Sequence, residues 1–130
     1  MSNPSDSLAP VFKALSEPPR LEILALLRHG GEMCVCDVEA VLGLTQSRAS
    51  RHLGVLARAG FVEGLRAGAW VHYRVLPEPD PLVRAMLLVL ESAFSEERLA
   101  ELMARLEAVR TAKAQGSACV SPFRDRGVEP

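Results

Sequence analysis

Three cysteines offer the most distinctive chemistry in this chain. Cys34 and Cys36 are separated only by Val35, and Cys119 stands far downstream. Soft ions prefer thiolate sulfur, and the pair falls at the start of a predicted helix, where the positive end of the helix dipole favours the thiolate form. An odd number of cysteines, two of them this close, argues against a disulfide framework. Metal binding, thiol redox chemistry with Cys119 as resolving thiol, and plain burial as small hydrophobes all stay open.

A second group of residues is polar and basic. Gln46, Ser47, Arg48, Ser50, Arg51 and His52 crowd the start of another predicted helix. A helix that approaches base edges needs such side chains: Gln pairs bidentately with adenine and Arg with guanine, while Ser, His and the helix N-terminus hold phosphate. His52 also suits an internal packing role. Arg66, His72 and Arg74 sit on a predicted hairpin and suit phosphate or minor-groove contact, although charged strands also discourage edge-to-edge pairing. Five arginines (48, 51, 58, 66 and 74) face a single acid, Glu63, between positions 45 and 74, giving 5 − 1 = +4 within a chain of net charge −1. That local excess fits a phosphate-rich partner.

These residues need a scaffold. A chain of 130 residues with 48% hydrophobic and 24% charged residues fits one soluble globular domain. Residues 7–15 carry Leu8, Val11, Phe12 and Leu15 at helical spacing, and Ser16 reads as the cap of a following helix that Gly30 and Gly31 end. Residues 37–42 form a short helix closed by Gly43, and Thr45 caps a helix running to Ala59. Two helices joined by a glycine turn make a helix-turn-helix. Residues 61–66 and 70–76 alternate with period two around Ala67-Gly68-Ala69, which predicts a β-hairpin. Helices are expected over residues 82–94 and 95–113, then a mobile tail from 114 to 130 that carries Cys119.

The predicted order, mainly α with a β-hairpin wing, is that of a winged helix-turn-helix. The residues resemble the ArsR/SmtB family of metal-responsive repressors over positions 8–90. Glu32-Met-Cys-Val-Cys-Asp-Val-Glu-Ala-Val-Leu is similar to that family's arsenic-sensing motif Glu-Leu-Cys-Val-Cys-Asp-Leu-Cys. Gln46-Ser-Arg-Ala-Ser-Arg-His-Leu and Leu56-Ala-Arg-Ala-Gly-Phe-Val resemble its recognition helix and the junction with the wing. One position departs, because the motif's third cysteine falls where this chain has Glu39.

The resemblance implies a repressor that binds double-stranded operator DNA with an inverted repeat. It implies a homodimer formed through the first helix and the helix around Val83, Met86, Leu87, Val89 and Leu90. No cofactor is then needed for DNA binding. The implied inducer is trivalent arsenic, with trivalent antimony as a second option, and arsenic favours three thiolates. Glu39 offers a hard oxygen instead, so Cys119 is the expected third ligand beside Cys34 and Cys36, from the same chain or across the dimer. Cadmium, lead, organoarsenicals and a thiol redox signal are the alternatives. A zinc, nickel or cobalt sensor would need a histidine cluster, and residues 82–113 contain no histidine. No common hydrolase, phosphate-loop or paired Cys-x-x-Cys motif argues for an enzyme. The longest stretch without Asp, Glu, Lys or Arg is ten residues (114–123), too short to span a bilayer. The first residues also lack the pattern of a secretory signal, so the expected compartment is the cytoplasm.

Overall fold

A computed structural model describes residues 3–114. Six helices and three short strands follow one another as α1 (Pro4–Ala14), α2 (Pro18–Gly30), β1 (Met33–Cys34), α3 (Val35–Leu42), α4 (Gln46–Arg58), β2 (Val62–Ala67), β3 (Trp70–Val75), α5 (Pro81–Ala93) and α6 (Glu96–Lys113). Local chemistry starts most of these helices. Thr45, Asp80 and Ser95 each accept a hydrogen bond from the backbone N–H three residues on, and Pro begins α1, α2 and α5, where its missing N–H costs nothing. Ser16 does not cap α2. Its Oγ donates to the Lys13 carbonyl at 2.6 Å, and Glu17 takes the capping position without a side-chain bond.

Gly43 closes α3 at φ +68°, a left-handed conformation that costs most residues about 1 kcal/mol or more, and so sets the tight turn into α4. Ile23, Leu24 and Leu26 of α2, Val38 of α3, Leu53 and Leu56 of α4, Phe61 and Leu102 fill the core. The apolar stripe of α6 predicted from its spacing is present, with Leu102 and Leu106 buried and Leu99, Met103 and Val109 packed against the core. Val83 and Leu87 of α5, expected at a dimer contact, are instead buried in this chain's own core. Leu8 and Phe12 of α1 and Leu88 and Val89 of α5 remain exposed. Among the described residues, no helix is long and apolar enough to cross a membrane.

The sheet holds one strand that the sequence does not announce. Its order is β1-β3-β2, all antiparallel, so the two-residue β1 lies along the outer side of the hairpin and pairs Met33 with Tyr73 and Cys34 with His72. The cysteine segment is thereby stitched into the wing.

Candidate functional site

Cys34 holds two structural positions at once. It ends β1 opposite His72, and it is the N-cap residue of α3, with an extended backbone and no side-chain capping bond. α3 therefore starts at Val35, two residues before the predicted start, and Cys36 lies in its first turn. A carboxylate joins the pair: donor atoms of Cys34, Cys36 and Asp37 all lie within 4.8 Å of one another. The structure joins Cys34 and Cys36 in a disulfide, with Cα atoms 5.3 Å apart, where the sequence reading expected two free thiols. The spacing explains it, since a Cα separation of about 4.4–6.8 Å is what a disulfide requires.

From the far end of α6, Lys113 reaches this cluster. Its Nζ donates to Asp37 Oδ1 at 2.9 Å and approaches Cys34 Sγ at 3.3 Å and Cys36 Sγ at 3.5 Å. Arg110, one helical turn earlier, donates to the carbonyls of Gly30 and Glu32, which fixes the end of α6 over the β1 entry. Together with Glu32, Met33 and His72 these residues wall a cavity of about 270 Å³ that reaches Ala114. Neither Asp37 nor Lys113 is among the predicted site residues. Asp37 adjoins the cysteine pair in the quoted motif, while Lys113 is brought to it by tertiary structure alone. Cys119 lies outside the described residues.

Glu39 points elsewhere. It lines a second cavity, of about 180 Å³, shared with Val35 and Cys36, with Gln46 and Ser50 of α4, and with Ala69, Trp70 and Val71 at the wing turn. Cys36 thus borders the very side chains proposed to read bases. Gln46, Ser47 and Arg48 are exposed at the start of α4, Ser50 is half-buried, and Gln46 Nε2 donates to Ser50 Oγ at 3.4 Å. Arg51 is exposed, 3.9 Å from Glu17, and Arg66 is exposed on the wing. Arg74 is drawn into the hairpin by Glu63, to which its Nε donates at 2.6 Å.

Two predicted DNA contacts are interior. His52 is 0% exposed, because it falls on the inner stripe of α4 beside Ala49, Leu53 and Leu56. His72 is 3% exposed, set among Glu32, Arg110 and Lys113, with Glu32 Oε2 3.0 Å from its Nδ1. Neither imidazole faces solvent as a base or phosphate contact would.

The His52 tautomer follows from its neighbour. Arg20 Nη1 lies 3.2 Å from His52 Nδ1, and a guanidinium only donates, so Nδ1 accepts and Nε2 carries the proton. That Nε2 has no hydrogen-bond partner among the described residues. Burial, and after it the charges of Arg51 and Arg20, push the imidazole below its ordinary pKa. The unfolded chain takes up this proton near pH ~6.5 and the folded chain resists it, so stability from His52 is complete above that pH and is lost as the pH falls towards the lower folded value. Stability to urea is expected to drop between about pH 7.5 and 5.5, by at most about 1.4 kcal/mol per pH unit for one proton. His52→Gln should flatten that slope; equal slopes in both proteins would exclude His52 as its source.

The geometry has counterparts. Residues 17–64 match the family described as bacterial regulatory protein, arsR family. Over 77 residues the chain is 43% identical to the arsenic resistance transcriptional regulator ArsR1 of Pseudomonas putida, covering 59% of this chain and 60% of that protein, so it spans less than two thirds of that relative. Over 109 residues it is 37% identical to the arsenic resistance transcriptional regulator ArsR2 of the same organism, covering 84% of this chain and 94% of that one. Among solved structures, the homodimeric winged helix-turn-helix DNA-binding domain Mb0332 of Mycobacterium bovis superimposes with a TM-score of 0.59 at 31% identity, covering 71% of this chain and 85% of that one. The antimony-specific transcriptional repressor AntR superimposes with a TM-score of 0.57 at 31% identity, covering 68% of this chain and 78% of that one. With its helix-turn-helix, its wing and a match along nearly the whole of one relative, the chain belongs to the arsR family of bacterial regulatory proteins.

Proposed function

We propose that this protein is a transcriptional repressor that binds an inverted-repeat operator as a homodimer and releases it when the reduced Cys34 and Cys36 take up trivalent arsenic, with trivalent antimony as a second inducer. The observation that carries this reading is the place of the cysteine pair. Cys34 is hydrogen-bonded into the wing sheet, Cys36 shares a cavity wall with Gln46 and Ser50, and both begin the helix that leads into α4. A pyramidal ion gathering these sulfurs must move β1, the start of α3, or both. Either motion displaces the wing relative to the reading face of α4.

The remaining assignments follow. Gln46, Ser47, Arg48, Ser50 and Arg51 read or hold the operator from α4, and Arg66 does so from the wing. Residues 1–113 form the DNA-binding and dimerisation body, and exposed Leu8, Phe12, Leu88 and Val89 on α1 and α5 supply the dimer contact. Doubling the module sets two recognition helices about one helical turn of DNA apart. Cys119, in the segment 114–130, is our third thiolate. Linkage requires that operator and arsenite weaken each other by the same factor, typically about 5- to 150-fold.

The disulfide favours a second reading, in which oxidation of the pair is itself the signal. One experiment separates the two. Binding to duplex DNA from upstream of the protein's own gene is followed by fluorescence anisotropy while arsenite, antimonite, cadmium, zinc or peroxide is titrated in. Release by arsenite under reducing conditions supports the metalloid reading. Release by peroxide with indifference to every metal supports the redox reading, and tight binding insensitive to all five refutes both.

A further inference from the structure

The cations of this protein are unevenly partnered. Arg28, Arg98 and Arg105 each face a carboxylate, of Glu91, of Glu22 and Glu101, and of Glu101. Lys13 and Arg58 are exposed and meet no carboxylate within 4.0 Å among the described residues. Both line an open cleft of about 360 Å³ between the end of α1, the start of α2 and the flank of α4, with Pro10, Val55 and Ala59 also in its wall. Lys13, Arg20, Arg51 and Arg58 line it against one acid, Glu17, giving 4 − 1 = +3.

Arg20 is a fixed charge behind this surface. It is 3% exposed, and its Nε donates to the Ala14 carbonyl at 2.7 Å and its Nη2 to the Lys13 carbonyl at 3.2 Å. Arg51, Val55 and Arg58 stand at i, i+4 and i+7, which places them on one stripe of α4. At about 1.5 Å of rise per residue, Arg58 lies roughly 10 Å along the helix axis from Arg51. One turn before Arg51 the same stripe carries Ser47, so it runs from the start of α4 towards its C-terminal end.

We propose that this cleft is a phosphate clamp for the DNA backbone, with Lys13, Arg51 and Arg58 as the contacting side chains and Arg20 as the fixed charge that supports them. The proposal rests on the reading of α4 as the operator-binding helix. Backbone contacts fix a protein's register on the duplex without reading sequence, which suits a group set beside the base-reading residues rather than among them. Phosphate favours such a site because each neutralised charge releases a counterion from the duplex.

Lys13→Ala, Arg58→Ala and the double variant test the clamp. Affinities for the operator duplex and for a scrambled duplex are measured across a series of salt concentrations, with thermal melting to verify folding. Each single change should weaken binding to both duplexes about equally and lower the slope of log affinity against log salt by about 1, and the double variant by about 2. An unchanged slope in the folded double variant, with wild-type binding intact, overturns the clamp alone. So does a cleft that serves free anions, seen as inorganic phosphate stabilising the wild type against heat but not the double variant while the DNA slope stays the same. Wild-type protein that binds neither duplex refutes the operator reading and the clamp with it.

Discussion

Cys34→Ser is expected to bind operator DNA as tightly as the wild type and to remain bound when arsenite is added. Serine preserves size and shape at a site that is almost fully buried, and none of the residues proposed to touch DNA is altered. The change replaces a soft sulfur with a hard oxygen that does not ionise at neutral pH, so one of the paired ligands is lost. The wild type should lose affinity by about 5- to 150-fold at saturating arsenite, the range of ordinary allosteric coupling, and the variant by less than about 2-fold. Anisotropy titrations at fixed protein concentration measure both. A variant released as readily as the wild type would move the sensor away from the β1–α3 junction.

Arg20→Met is expected to cost about 2–5 kcal/mol of folding stability, a large share of the about 5–15 kcal/mol typical of a small domain. The methionine fills most of the volume but leaves the carbonyl of Ala14 and the Nδ1 of His52 without their donor, while the Lys13 carbonyl keeps its bonds from Ser16. Unpaired buried polar groups cost about 1–3 kcal/mol each, less whatever water recovers near the cleft. Lysine should rescue little, because a single ammonium on a flexible stem does not reproduce a planar fork bonded in three directions. Urea unfolding at one protein concentration should show a lower midpoint with an unchanged slope. A loss below about 1 kcal/mol would mean that the corner between α1 and α2 relaxes around the missing group.

The elements that position the site were legible where local chemistry dominates. Thr45, Gly43 and the spacing of Ala49, Leu53 and Leu56 specify α4 within its own segment, and the alternation around Gly68 specifies the hairpin. β1 escaped because two residues are too few to show a period. His52 was misplaced although its position, three residues after Ala49 and four before Leu56, lies on the inner stripe. Polarity argued for the surface, and only the fold could show that Arg20, 32 positions away, supplies a partner inside. His72 was misplaced because its neighbours Glu32, Arg110 and Lys113 come from distant parts of the sequence. At the sensor, the cysteine pair was plain from spacing, whereas Lys113 arrives from 76 positions beyond Asp37 by the packing of α6 against α3.

β1 gives the molecule an economy of parts. On the function proposed above, a sensing residue that is also a strand partner of the wing and the N-cap of the supporting helix needs no separate receptor domain. In that proposal the atoms that choose the signal are confined to a few side chains around Cys34, and the atoms that choose the DNA address are held on α4. Exchanging a sulfur for an imidazole or a carboxylate at the first place would therefore retune which ion is answered while the second place keeps its target, so that new chemical inputs can be connected to an old genetic output one donor atom at a time.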